Sequence, residues 1–206
     1  MNNKRVLICI PVHHCPQLET IKCLLETIKY SKCKIFYHIN PGNDIVRLRN
    51  EMGRVFLKMK DYDYLMWIDD DITWENGIID LLVSREKDII GGVCSVKSNS
   101  GKPVIRPFYI QKLLDTKKYK NQKIKVPKNK LFEVEYVGTG FMLISRQCIE
   151  NVYATHPFPF QPISPKREYL SEDWAFCHRA KSLGYKVWAE TTFELGHIGY
   201  KRCVLK

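Results

Sequence analysis

The chain has no long hydrophobic run, no paired cysteine motif and no glycine-rich phosphate fingerprint, and each absence removes a class of protein. No segment of its 206 residues approaches the roughly 18 uninterrupted apolar residues of a membrane span. The opening stretch MNNKRVLICIPV carries charge followed by only a short apolar run, the pattern of a first strand rather than a signal peptide. The eight cysteines, Cys9, Cys15, Cys23, Cys33, Cys94, Cys148, Cys177 and Cys203, include no C-x-x-C pair, which argues against a zinc ribbon or a dithiol redox motif. Several stand in apolar runs such as VLICI and GGVC, where a thiol behaves as a small hydrophobe, and the reading is a reduced, cytoplasmic protein. No repeats are found. Acids are scarce: 22 Asp and Glu against 33 Lys and Arg, a formal net charge of +11. That balance suits a polyanionic partner, whether nucleic acid, an anionic surface or a phosphate-rich small molecule, without choosing among them.

What is present reads as one α/β domain over residues 1–206, with a nucleotide-binding part to about residue 95 and an acceptor part from about 96. Apolar residues at 45% and charged residues at 27% are ordinary for a globular chain that can bury a full core. RVLICIPV has the continuous apolar pattern of a buried parallel strand. Leu18, Ile21, Leu24, Leu25 and Ile28 follow at helical spacing and are expected to face inward. KIFYHIN is a second strand, and Asn43 or Asp44 is placed to cap a helix burying Ile45, Leu48, Met52, Val55, Phe56 and Met59. YLMWID, a short helix in WENGIIDLLV, and KDIIGGVCSV continue the alternation. Strands alternating with helices predict a layered α/β fold with a mostly parallel central sheet, in which ligands bind at the carboxyl ends of the strands. Residues 112–130 hold eight lysines and one acid, Asp115; with no apolar period, they read as an extended or mobile loop. LFEVEYVGTGFMLIS supplies two strand-like runs, THPFPFQPISPKREY a loop, and a last helix starts near Ser171 before the strand YKVWAE.

Four motifs carry chemistry. In WIDDDI, three carboxylates end an apolar strand, and burying such charge requires a cationic partner. If strand alternation persists, Asp69 and Asp71 share a face while Asp70 points the other way. One hard divalent cation, Mg²⁺ or Mn²⁺, could engage that pair; the alternative is a solvated strand end. In YLSEDWAFCHRAKSLGY, Ser171 is a candidate N-cap, and Glu172 and Asp173 lie in the first turn, where the helix dipole favours anions. Helical periodicity puts Asp173 on the inner face with Phe176, Cys177 and Ala180, and Glu172 on the outer face. Asp173 is thus a candidate general base whose basicity the dipole lowers. In FELGHIGY, His197 stands between two glycines that permit a tight path back to the cleft; a structural histidine is the alternative. In VGTGF, Gly138, Thr139 and Gly140 mark a bulge or turn, or a place where backbone approaches a ligand. Arg49 lies either on a solvated helix face or within reach of a donor.

Taken in order, the aspartate cluster, the glycine loop, the E-D helix start and the C-terminal histidine resemble the GT-A class of nucleotide-sugar-dependent glycosyltransferases. The helix NDIVRLRNEMGRVFL and the strand KDIIGGV look like members of this class too, and the resemblance spans roughly residues 4 to 200 and extends to the small enzymes of large DNA viruses. It implies a GT-A-like, Rossmann-like fold. It implies that Asp69 contacts the donor's ribose, that Asp71 and His197 ligate Mn²⁺ or Mg²⁺, and that Asp70 belongs with the donor-binding set. Pro11, Val12 and His13 would line the base site, with Asn40 contributing where the class often has an acid. Arg49 would meet donor sugar or phosphate, Gly138, Thr139 and Gly140 would border sugar and acceptor, and Asp173 would deprotonate the acceptor hydroxyl with inversion. The implied partners are a nucleotide-sugar donor, UDP-sugar favoured, and a glycan or glycoprotein acceptor, with no nucleic acid.

Two rivals stand beside that reading. A sugar nucleotidyltransferase also uses an α/β domain and a metal-bound aspartate. Its glycine-rich phosphate loop should follow the first strand, where this chain has IPVHHCPQ. A non-catalytic nucleic-acid-binding protein would rest on the lysine stretch, which has little aromatic interleaving.

Overall fold

Arg5–Val12 form β1, buried on both faces from Val6 onward, as its continuous apolar run requires. The computed structural model describes residues 3–94, 105–106, 126–165 and 169–199. After β1 come α1 (Leu18–Tyr30), β2 (Lys34–Pro41), α2 (Ile45–Lys58), β3 (Tyr64–Ile68), β4 (Ile72–Thr73), α3 (Ile78–Ser84), β5 (Ile89–Gly92), β6 (Ile105–Arg106), β7 (Leu131–Val134), β8 (Tyr136–Val137), β9 (Phe141–Ser145), α4 (Arg146–Thr155), α5 (Glu172–Ser182), β10 (Val187–Glu190) and β11 (Gly196–His197).

Seven strands make one mixed sheet in the order β2-β1-β3-β9-β5-β10-β7. β1 is parallel to β2 and β3, and β5 to β10; β9 is antiparallel to β3 and β5, and β7 to β10. β1, β2, β3, β5 and β10 therefore point one way, the mostly parallel α/β sheet expected, and their carboxyl ends share one edge. β9, from the second half of the chain, pairs between β3 and β5 from the first, so the two halves interleave in one sheet.

Alternation along the strands sends side chains to two cores. Leu7, Cys9, Leu65, Trp67, Met142 and Ile144 meet Met52 and Phe56 of α2, Ile149 and Val152 of α4, and Phe176 and Ala180 of α5. Val6, Ile8, Ile10, Met66, Ile68, Phe141 and Leu143 meet Leu24 of α1 and Ile79 and Leu82 of α3 on the other face. Burial holds the thiols of Cys9, Cys94, Cys148 and Cys177 well above the usual range, consistent with cysteine acting here as a small core residue.

The structure departs from local patterning in four places. On α1 the inner stripe is Thr20, Leu24 and Thr27, whereas Leu25 is 59% exposed and Leu18 and Ile28 also face outward. The threonines go inward because partners await them: Thr20 Oγ1 donates to the Ile72 carbonyl at 2.9 Å, and Trp74 Nε1 donates to Thr27 Oγ1 at 2.8 Å. On α2, Asp44 is the cap, its Oδ1 accepting from the Arg47 N–H at 3.1 Å, but Ile45 and Met59 are exposed while Arg49 and Asn50 are buried. Helix α4 has no counterpart in the sequence reading; its signal is Ser145, whose Oγ accepts from the Cys148 N–H at 3.2 Å. Finally, β3 stops at Ile68, so Asp69–Asp71 form a turn rather than an extended strand end. Residues 112–125 of the lysine-rich stretch lie outside the described residues. Among the described residues no helix is long and apolar enough to cross a membrane.

Candidate active site at the carboxyl edge of the sheet

The aspartate turn sends its three carboxylates to three partners. The turn closes with the Ile72 N–H donating to the Asp69 carbonyl at 3.3 Å, and strand alternation no longer governs the side chains. Asp69 Oδ1 accepts from Arg49 Nη2 at 2.7 Å. Asp70 does not point away: its Oδ2 accepts from the His13 N–H at 3.3 Å, and its carbonyl accepts from the Gln17 N–H at 2.8 Å, which fixes the loop after β1. Asp71 Oδ1 lies 3.2 Å from His197 Nε2, with both side chains largely buried. Main-chain pairing brings them together. Strand β11 pairs with β4, His197 opposite Ile72, and the Ile198 N–H donates to the Asp71 carbonyl at 2.8 Å.

Arg49 is 3% exposed and not on a solvated helix face. Its guanidinium spans Asp69 and Glu172, Nη1 donating to Glu172 Oε1. A buried cation requires such carboxylates. Glu172 is the site residue that helical periodicity missed. The cleft meets α5 at its N-terminus, and there side chains of the whole first turn reach the opening whatever their face.

Asp173 follows on the same turn. Its Oδ1 accepts from the Ser171 hydroxyl and, at 2.7 Å, from the Trp174 N–H. Burial first, and then the neighbouring Glu172 carboxylate, hold its carboxyl above the usual carboxylate range, against the opposing pull of those hydrogen bonds and of Arg49. The expected lowering of its basicity by the helix terminus is therefore reversed: desolvation outweighs it.

Two cavities open on these groups. A cleft of about 400 Å³ is lined by Pro11, Val12, His13, Arg49, Asp69, Asp70, Asp71, Glu172 and His197, together with Gly42, Asn43, Ile45 and Leu48 from the β2–α2 connection. Asn40 is not among its lining; it pairs with Pro11 within the sheet, and the following turn takes its place. A recess of about 80 Å³ adjoins the cleft and shares Arg49, Asp69, Glu172 and His197; it adds Gly138, Thr139, Gly140, Asp173, Gly92 and Cys94. Gly140 is needed there: a Cβ would stand 3.2 Å from Asp69 Oδ2, and its carbonyl accepts from the Asp69 N–H at 3.1 Å. Gly138–Gly140 is thus both a turn between β8 and β9 and a close backbone approach to the site.

Asp69, Asp70, Asp71, Glu172 and Asp173 gather around one buried arginine in a chain whose formal net charge is +11. A carboxylate oxygen and an imidazole nitrogen in contact are a mixed donor pair: the carboxylate suits Mg²⁺ or Mn²⁺, and the imidazole suits the softer first-row ions. Among the described residues no group of three His, Cys, Asp or Glu is placed to hold a metal alone. Asp71 and His197 supply two donor atoms at one point of the cleft, 3.2 Å apart.

No protein-family model and no curated protein matches the chain. Solved structures do. A197 from STIV aligns with a TM-score of 0.65 at 19% identity, over 98% of this chain and 94% of that one. GalNAc-T7, solved with UDP, GalNAc and Mn²⁺, aligns with a TM-score of 0.56 at 11% identity over 94% of this chain and 43% of its own, so this chain spans less than half of that neighbour. A glycosyltransferase involved in the glycosylation of the major capsid of PBCV-1 aligns at a TM-score of only 0.39 and 11% identity, over 91% and 93% of the two chains, a likeness too loose to support any inference. At these identities the likeness is one of fold: the chain has a GT-A-like, glycosyltransferase-like α/β fold.

Proposed function

We propose that the chain is a divalent-cation-dependent glycosyltransferase that moves a sugar from a nucleoside-diphosphate sugar, UDP-sugar favoured, to a hydroxyl of a glycan or glycoprotein acceptor. The observation that carries this reading is the contact of Asp71 with His197, 3.2 Å apart although they come from distant parts of the chain, in a cleft that Asp69 also lines. In this reading the larger cleft takes the nucleotide, its base against Pro11, Val12 and His13 and its ribose on Asp69. Asp71 and His197 would hold Mn²⁺ or Mg²⁺, which when bound neutralises charge developing on the departing nucleoside diphosphate. Asp70 holds the loop that carries His13. Gly138–Gly140 borders the donor sugar and the incoming hydroxyl in the smaller recess.

Asp173 takes the acceptor proton. Its Oδ1 is occupied by Ser171 and Trp174, which assigns proton acceptance to Oδ2. The hydroxyl becomes strongly acidic only as its oxygen bonds to the anomeric carbon, so a carboxylate suffices, and one with a raised pKa is a better base than an unperturbed one. A single base opposite the leaving group implies inversion.

A thermal-shift panel of UDP-, GDP- and TDP-sugars with and without Mn²⁺, followed by an assay for free nucleoside diphosphate, tests the reading. We expect stabilisation by one donor class only when Mn²⁺ is present, and release of diphosphate rather than the pyrophosphate chemistry of a nucleotidyltransferase. No stabilisation by any donor, or stabilisation indifferent to the cation, overturns it.

A further inference from the structure

We propose that Glu172 is a positioning residue that, through the Arg49 guanidinium, ties Asp69 on the donor side to the helix start carrying Asp173 on the acceptor side. The proposal rests on the glycosyltransferase reading for what the two sides bind, but the tie itself is a matter of three side chains. Arg49 offers one edge of its planar fork to each wall: Nη2 to Asp69 and Nη1 to Glu172. A lysine ammonium cannot reproduce that two-sided bridge.

Two of the three groups are held independently. The α2 turn bearing Arg49 is pinned to α4, where Tyr153 Oη donates to the carbonyls of Asn50 at 3.1 Å and Arg49 at 3.4 Å. Gly53 makes this possible, since a Cβ there would stand 1.9 Å from Tyr153 Oη. Asp69 is fixed by its N–H to the Gly140 carbonyl. The start of α5 is held on its N-terminal side by two backbone bonds between Leu170 and Ile163, at 2.8 and 3.2 Å, but its side-chain cap is missing. Ser171 makes no side-chain cap; its hydroxyl donates to Asp173 instead. An uncapped helix start loses a usual source of orientation, and the Glu172–Arg49 pair supplies one. Because Glu172 precedes Asp173 directly, whatever fixes Glu172 fixes the proton acceptor.

The same pair sets the charge around Asp173. The ionisable groups facing it in the recess are Glu172 beside it, Arg49 from α2, Asp69 after β3, Cys94 after β5 and His197 of β11. Glu172 raises its pKa and Arg49 lowers it. Removing the Glu172 charge takes away the repulsion and leaves Arg49 with one fewer carboxylate to neutralise it, and both changes favour ionised Asp173 at lower pH.

The experiment uses the full chain as wild type, Glu172→Gln, Glu172→Asp and Arg49→Lys, with the donor found in the thermal-shift panel. Glu172→Gln is expected to lower kcat by about 10- to 100-fold with donor KM within about twofold, and to move the acid limb of the kcat profile to lower pH. Glu172→Asp, which keeps the charge, returns the acid limb to its wild-type position. Arg49→Lys loosens both ends, so it lowers kcat and raises donor KM. A Glu172→Gln variant that raises donor KM while keeping kcat makes Glu172 a donor contact and overturns the proposal, as does an unmoved acid limb with wild-type kcat. A double-mutant cycle of Glu172→Gln and Arg49→Met in urea unfolding is read without substrate. About a fivefold or greater departure from multiplicative unfolding constants is expected, and constants that multiply to within about twofold overturn the tie. A wild type that turns over no donor sinks the glycosyltransferase reading while the cycle still decides the tie.

Discussion

Asp80 is a buried carboxylate and Asp173 a partly buried one, both near helix starts on opposite faces of the sheet, and their surroundings push them in opposite directions. Asp80, in the first turn of α3, accepts from the Ser31 hydroxyl at 2.6 Å, the Lys32 N–H at 3.0 Å and the Cys33 N–H at 3.2 Å. Burial by itself raises its pKa, but those hydrogen bonds prevail and hold the carboxyl below the usual range. Among the described residues Asp173 accepts only from the Ser171 hydroxyl and the Trp174 N–H, and burial together with Glu172 keeps it above that range. A carboxylate surrounded by donors fastens one segment to another, here the α1–β2 connection to α3. A carboxylate short of donors beside another acid is a proton acceptor in waiting.

Four substitutions break or sharpen that contrast. The largest effect belongs to Asp71→Asn, which removes the charge facing His197: cation-dependent turnover is abolished, while the circular dichroism spectrum and melting temperature stay close to wild type. Unchanged turnover removes Asp71 from the site. Asp173→Asn comes next, with a rate loss of about 10²-fold or more and donor binding retained in calorimetry. It also costs no stability near neutral pH, because ionised Asp173 is a burden on the folded state. With a folded pKa above the unfolded value of about 3.9, that burden is absent below the unfolded value, grows as pH rises to the folded one and is complete above it. The rate correspondingly falls as pH drops through the raised value.

Asp80→Asn should do the reverse. It destabilises by about 1–3 kcal/mol in urea unfolding near neutral pH, with turnover per folded molecule unchanged. The Asp80 contribution is present above about pH 3.9 and is lost as pH falls through its lowered folded pKa; a stability profile flat through that window contradicts the assignment. The smallest effect is that of Gly140→Ala, whose Cβ would sit 3.2 Å from Asp69 Oδ2. Asp69 must give by a few tenths of an ångström against its Arg49 bond, and donor KM is expected to rise a few-fold with kcat nearly unchanged. A change in kcat instead of KM places the Gly138–Gly140 turn with Asp173 rather than with the donor.

Much of the fold is legible in the sequence because strands buried on both faces have an unmistakable pattern: RVLICIPV, YLMWI and FMLIS need no partner to be identified. The face of a helix is less legible. Thr20 and Thr27 lie inside α1 because Ile72 and Trp74 present polar partners, and those partners come from another part of the chain. In the candidate site, Asp69, Asp71 and Asp173 can be picked out by residue type and order, whereas His197 reads by itself as a structural histidine and is singled out only by the family resemblance. Periodicity assigns Glu172 to solvent because it describes the flank of a helix and not its end. Arg49 stays ambiguous because a lone arginine in an amphipathic helix carries no signal of whether a carboxylate will meet it.

Residue order alone determined the alternation of strands and helices, and with it the edge of the sheet where the candidate site lies, because hydrophobic period and turn residues act over a few neighbours. The tertiary structure decided which side chains meet. Pairing of β4 with β11 sets the imidazole on the acid, β9 slots between β3 and β5, and one guanidinium bridges two walls. Those contacts join residues far apart in the chain, and their energy leaves no periodic trace in either segment.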